Sequence, residues 1–334
     1  MKGLVTLVGT LALVAMAAGC GGGDGGRLTV YSGREEELVA PLFEMFTEET
    51  GTEVEVRYGD SAELAATIAE EGENSPADVF FAQDPGSLGS VEDQLAELPS
   101  ETLELVDERF RDADGRWTGT SGRSRVLIYN TDELTEGEVP DTVADLIDPK
   151  WEGRIGLAPT NASFQAFVTG MRLSEGDEAT RQWLTDLKEL DPKLYESNTP
   201  TVEASAAGEI DLGLVNHYYL YLVKEEQPDA PIANHFLAAG DPGALVSVAG
   251  AAVLGSSDQS DDAQSFVDFL LSEEAQRFYV EDAEEAEYPL IEEIEPKEGL
   301  PPLDELEGPD VDLSAFGAEL EATVEMLRET GYLT

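Results

Sequence analysis

Tyrosine occurs twice in succession, at 218 and 219, within the run "NHYYLY" (216–221) that follows the apolar stretch "IDLGLV" (210–215). Two phenol oxygens brought to one point make a hard, oxygen-rich donor pair. On a strand the two side chains would point to opposite faces. On the first turn of a helix they lie only about 100° apart, and both hydroxyls can reach one point. The sequence favours the helix: Val215 ends a strand, Asn216 is a good N-cap, and "HYYLYLVKEEQ" (217–227) runs as a helix into Pro228. The positive end of a helix favours phenolate over phenol. A bound trivalent cation would lower the phenol pKa much further from its ordinary value of about 10. Hard anionic oxygens match a hard cation, of which Fe(III) is the obvious biological one. Most tyrosines are core aromatics, and that plainer reading suits Tyr221, which helical spacing turns away from Tyr218.

The elements that must position this pair alternate from Arg27 onward. "LTVYSG" (28–33) reads as a strand ending in a Ser-Gly loop, and "EEELVAPLFEMFTEETG" (35–51) as an amphipathic helix with Gly51 past its end. "TEVEVRYG" (52–59) alternates at period two, "SAELAATIAEEG" (61–72) is helical with Ser61 as cap, and "ADVFFA" (77–82) is apolar on both faces. This βαβαβ rhythm implies an α/β fold with a parallel sheet, ligands binding at the carboxyl ends of its strands. Further strands are expected at 125–130, 154–159 and 209–215, with helices between them at 180–190 and 201–208. The extended segment 241–255 is long enough to cross between two lobes, and the tail is helical from Leu313 to Thr330. Two lobes crossed more than once by the chain would hold a ligand in the cleft between them and close on it by hinge motion.

Composition narrows the function classes. The 71 acidic residues against 19 Lys and Arg give a formal net charge of −52, which excludes a nucleic-acid partner. Acids spread along the whole chain read as a solubility coat suited to high salt. The same field would also attract cations, within a screening length of about 8 Å. "MKGLVTLVGTLALVAMAAGC" has a basic start, an apolar stretch shorter than a membrane span, and small residues before Cys20, the chain's one cysteine. It reads as a signal peptide (1–19) followed by a lipid attachment point at Cys20 and a flexible tether (20–27).

Eight segments in order carry a resemblance: "VYSGREEEL", "SPADVFFAQD", "SGRSRVLIYNTDEL", "PKWEGRIGLAPT", "GEIDLGLVNHYY", "GDPGALVSVAGAAVL", "FVDFLLSEEAQRF" and "EYPL". Together they resemble the ferric-iron-binding proteins of the periplasmic ABC-transporter solute-binding class. The resemblance implies a type II periplasmic-binding-protein fold of two α/β lobes, taken as 28–122 with 250–299 and 123–249 with 300–334. It implies Fe(III) held by the phenolates of Tyr218 and Tyr219 and delivery to an ABC permease. Cleavage before Cys20 would leave the protein, expected to be a monomer, anchored by lipid on the outer face of the cytoplasmic membrane. Other family ligands match less well. Glu35 stands where some members have His, but within "EEE" it reads more readily as part of a solvated face; Gln83 stands for a Glu, and Phe164 for a third tyrosine. Two secure protein ligands are too few for six-coordinate iron, so the resemblance implies a synergistic anion, carbonate or phosphate, with water.

Residues for that anion can be named. Arg34, Arg123 and Arg125 fall in strand-end or loop segments, and a guanidinium fork suits a planar carbonate. The competing reading for each is an ion pair with one of the 71 acids; for Arg125 the two readings balance, while Arg34 and Arg123 read as anion-binding. Asn161, Ala162 and Ser163 match a family loop whose donors hold the anion, and Asn198 and Asn216 match further donors. His217 reads as pointing out of the cleft. Two other functions remain open on sequence: the same fold binding a polyamine, thiamine, an oxyanion or another metal, and an extracytoplasmic hydrolase using paired carboxylates. The first would put acids and tryptophans at the cleft. For the second, no nucleophile elbow, HExxH or Cys/His pair is present.

Overall fold

The computed structural model describes residues 27–281 and 286–334. The expected signal peptide, Cys20 and all but the last residue of the tether lie outside the described residues. Among the described residues no helix is long and apolar enough to cross a membrane.

The chain begins β1 (Leu28–Ser32), α1 (Glu36–Thr50), β2 (Val54–Tyr58), α2 (Ser61–Glu71), β3 (Val79–Ala82), the order read from the sequence. Helix α1 stops where Gly51 takes φ 79°, a left-handed conformation that costs glycine nothing. Asp60, not Ser61, caps α2: its carboxylate accepts from the N–H groups of Ala62 and Glu63 at 2.9 and 3.3 Å. Ser61 Oγ instead accepts from the N–H of Gln83 at 2.9 Å, tying α2 to the end of β3. Then come α3 (Pro85–Gly89), α4 (Ser100–Leu103), β4 (Thr118–Asn130), β5 (Ile155–Leu157), α5 (Ala162–Glu175), α6 (Asp177–Glu189) and β6 (Lys193–Leu194). After these are α7 (Asn198–Ala206), β7 (Leu212–Asn216), α8 (Tyr219–Glu226), β8 (Ile232–His235), β9 (Val246–Val253), α9 (Ser260–Leu270), α10 (Glu273–Glu281) and α11 (Phe316–Glu329).

Strand β4 is the spine. Only 125–130 was expected to be extended, yet the strand is 13 residues long and buried throughout. Its length lets it serve two sheets in turn. Thr118 to Ser124 pair with β9, which continues through β3 and β1 to β2. From Arg125 onward the partner on one side is β7, leading to β5 and β6, and β8 joins at Leu127. The change of partner falls between Ser124 and Arg125. Pairing is parallel for β1 with β2 and β3, as expected, but β9 runs antiparallel to both β3 and β4. The physical reason is connectivity: the chain leaves the first lobe on β4 and returns on β9, so the two crossings run in opposite directions.

The cores follow the period-two rule of strands. In the first lobe Val30, Val79, Phe81 and Ala251 face one cluster with Leu42, Phe46 and Phe266, while Tyr31, Phe80 and Ala252 face another with Ile68, Leu88 and Trp117. In the second lobe Leu127, Leu157, Leu212 and Leu214 pack with Trp151, Phe167 and Trp183, and Val126, Ile128 and Val215 pack on the opposite face. Each fully buried phenylalanine contributes about 1.5–3 kcal/mol. Helix α11 touches both lobes: Phe316 joins the cluster around Trp117, and Met326 and Leu327 join that around Trp183.

Candidate metal centre

A cleft of about 550 Å³ opens between the lobes, with Arg34, Glu35, Asp60, Gln83 and Asp84 on one wall and Asn161, Ala162, Ser163, Tyr218 and Tyr219 on the other. The tyrosines reach it by a route that differs from the expected one. Asn216 is the last residue of β7 and does not cap a helix; His217 and Tyr218 form a turn, and α8 starts only at Tyr219. The register explains this, because Asn216 pairs with Arg125 as the final rung of the β4–β7 ladder. The outcome for the phenols is a side-by-side pair, ring centroids 4.5 Å apart and tilted by 32°. Tyr218 is buried and Tyr219 partly so.

Arg125 organises the second-lobe wall. It donates through Nη1 to Asn216 Oδ1 at 3.1 Å and Ser163 Oγ at 3.0 Å, and through Nη2 to the carbonyl of Leu214 at 2.7 Å. Asn216 Nδ2 in turn donates to the Tyr218 hydroxyl at 3.4 Å. Ser163 Oγ donates to Asn161 Oδ1 at 2.6 Å and accepts from Asn198 Nδ2 at 3.2 Å. Asn161 also caps α5, accepting from the N–H of Ser163 at 2.9 Å. Burial pushes the Arg125 guanidinium down to about 10, opposed by Tyr219 and Tyr218. A single buried cation thus supports the phenol pair and the start of α5 together. Ala162, the first residue of α5, supplies only backbone.

Arg34 and Arg123 take a different partner. Arg34 donates through Nη1 and Nη2 to Glu287 Oε2, both at 3.1 Å, and through Nη1 to Ser121 Oγ at 3.2 Å. Arg123 Nε lies 3.7 Å from Glu287 Oε1. Burial alone would raise the Glu287 carboxyl; Arg34 and Arg123 outweigh it and hold the group below its ordinary value. So both arginines line the cleft and are also ion-paired. Glu287 belongs to the quoted "EYPL" segment, but one acid among 71 gave no signal of its own. Asp84 was also missed. It caps α3 through Ser87, its oxygens accepting from that residue's N–H and Oγ at 2.8 Å each, and burial raises its carboxyl.

The weaker candidates separate. Glu35 is exposed at the cleft and Gln83 is partly buried there. Phe164 is fully buried against Phe167 and Tyr332 and offers the cleft nothing. His217 is also fully buried and off the cleft: Nδ1 accepts from the N–H of Ser124 at 3.2 Å, and Nε2 donates to the carbonyl of Ala286 at 3.0 Å. Burial pushes its imidazole down to about 4, so the ring is neutral at physiological pH. Tyr221 is half-buried beneath the Lys297 ammonium, 5.4 Å from the ring centroid. All three tryptophans lie in the cores. Among the described residues no three His, Cys, Asp or Glu side chains converge as a metal site.

The chain is 36% identical to the major ferric iron-binding protein of Neisseria meningitidis over 310 residues, 91% of this chain and 92% of that one. Its structure superposes on iron-bound HitA from Pseudomonas aeruginosa with a TM-score of 0.85 and 36% identity, covering 91% and 99% of the two chains. It superposes on the Trichodesmium IdiA (FutA) protein, solved in complex with iron and citrate, with a TM-score of 0.79 and 27% identity, covering 92% and 100%. These neighbours share the two-lobed type II periplasmic-binding fold. The profile of the bacterial extracellular solute-binding proteins matches residues 74–308. With that match and likenesses running almost end to end, the chain belongs to the bacterial extracellular solute-binding protein family.

Proposed function

We propose that this protein binds Fe(III) outside the cytoplasm and delivers it to an ABC-type permease. The observation that carries the reading is the Tyr218–Tyr219 pair on the cleft wall, rings 4.5 Å apart, backed by the buried Arg125 network. Two phenolates supply hard anionic donors and Arg125 balances their charge. The ferric-binding names of its relatives support the same cargo. Glu35 and Gln83, on the opposite wall, are the candidates to add a ligand when the lobes close.

The rest of the coordination sphere is assigned to water and a small oxyanion, carbonate or phosphate, with citrate a third candidate by likeness to the Trichodesmium protein. Its donors are the start of α5 at Asn161–Ser163 with Arg34 and Arg123, while Arg125, Asn198 and Asn216 lie behind that wall and brace it. Cys20 carries the lipid that tethers a monomeric protein to the membrane surface. The function is binding and hand-over, with no bond made or broken in the cargo beyond ligand exchange.

Titration of the purified protein with a ferric chelate tests the site. A visible phenolate-to-iron charge-transfer band is expected, and the Tyr218→Phe, Tyr219→Phe double variant should abolish it. No band in the wild-type protein, or the same band in the double variant, refutes the assignment.

A further inference from the structure

We propose that Glu287 sets the charge of the anion that accompanies the metal, acting as a resident counter-anion in the hinge; this rests on the ferric reading above. Three segments distant in sequence meet there. Arg34 comes from the loop after β1, Arg123 from β4 just before the change of partner, and Glu287 from the segment where Tyr288 bridges Gly122. Their side chains are 2%, 3% and 1% exposed. Glu287 offsets part of the charge of the two guanidinium groups.

The arginines face the ligand. Arg34 and Arg123 both line the cleft, whereas Glu287 lies behind them. Glu287 engages Arg34 with short hydrogen bonds but reaches Arg123 only at 3.7 Å. Arg123 Nη2 is buried and has no hydrogen-bond partner among the described residues. Asp84, whose carboxyl feels the Arg123 charge, has an oxygen on each of the Ser87 N–H and Oγ donors. The cluster is therefore built to accept one more acceptor at the Arg123 edge, against a charge already reduced by Glu287. A buried charge in a site of low effective dielectric acts in proportion to the charge of its ligand. Removing the Glu287 charge should favour every oxyanion, and the more highly charged ones most.

The experiment uses the ferric protein loaded with phosphate and titrated with citrate, which carries one more negative charge, following the charge-transfer band. Glu287→Gln should shift the exchange midpoint toward citrate by about tenfold or more, and Glu287→Asp should leave it near wild type. Calorimetric titration of the iron-free Glu287→Gln protein with phosphate should show tighter binding than wild type. An unchanged midpoint in E287Q, or a shift toward phosphate, overturns the proposal and leaves Glu287 a brace of the hinge. Arg123→Gln should move the midpoint toward phosphate, and adding E287Q to it, which restores the net charge, should move it back. This second comparison decides the matter even if E287Q alone fails to fold, since an absent return also overturns the proposal. Failure of the ferric reading itself would be distinct: the wild-type protein would give no band to titrate.

Discussion

Gly317→Ala tests the role of α11 in joining the lobes. A Cβ at this position would lie 2.6 Å from the carbonyl carbon of Gly89, 2.7 Å from the nitrogen of Ser90 and 2.9 Å from the carbonyl oxygen of Gly86. Ordinary contact begins near 3.4 Å, so the closest approach is short by 0.8 Å (3.4 − 2.6). All three atoms are backbone, so no rotamer change can relieve the clash. The start of α11 and α3 must separate instead. Overpacking of this kind costs about 1–3 kcal/mol, partly offset by up to about 1 kcal/mol from the better helix propensity of alanine. The expected net loss is about 1–2 kcal/mol. Urea unfolding of the iron-free protein measures it, with Gly137→Ala as the control. No atom lies within 4 Å of a Cβ there, and such a change is worth about 0.4–1 kcal/mol of stabilisation. The contact also borders the site: Gly86 and Ser87 of α3 and Phe316 and Leu320 of α11 line the cleft. Ferric affinity should therefore fall in G317A, while the charge-transfer band keeps its position because no donor has changed. A Gly317→Ala protein within about 0.5 kcal/mol of wild type would refute the reasoning that backbone contact with α3 fixes α11.

Three further outcomes are expected. His217 is held neutral, with its folded value at about 4 against an ordinary 6.5. Between these values the unfolded chain takes up a proton that the folded chain refuses. This share of stability is therefore full above about pH 6.5 and lost as pH falls toward 4, about 3 kcal/mol in all; His217→Gln should lack that share of the slope in iron-free unfolding curves. Arg125→Met removes the donor to Leu214 and Asn216, at about 1–3 kcal/mol for each acceptor left unpaired, offset by the loss of a cation that burial disfavours. Its unfolding free energy should move by less than about 2 kcal/mol while its ferric spectrum changes, and an unchanged spectrum would show that the network does not position Tyr218. Ferric loading should stabilise the protein by mass action, about 4 kcal/mol at a free ligand concentration a thousandfold above Kd, and stripping by a chelator should reverse it.

Local chemistry made much of the molecule legible from its sequence. The alternation in 52–59, the apolar run 77–82 and the terminating Gly51 each specify their own element, because strand period and left-handed caps depend on residues a few positions apart. The adjacency of Tyr218 and Tyr219 is likewise covalent, but whether the two phenols share a face depends on the turn in which they stand. What the sequence left open was decided by partners distant along the chain. Asn216 reads as a cap until its pairing with Arg125, 91 residues earlier, makes it the end of a strand. Arg34 reads as a cleft cation, and only the fold sets Glu287, 253 residues later, against it as an ion-pair partner. Arg125, for which pairing and anion binding were balanced, is turned by the β4–β7 register toward Asn216 and Ser163. A guanidinium carries the same charge wherever it sits; which acceptor it meets, and at what cost in desolvation, is fixed only when the lobes assemble around it.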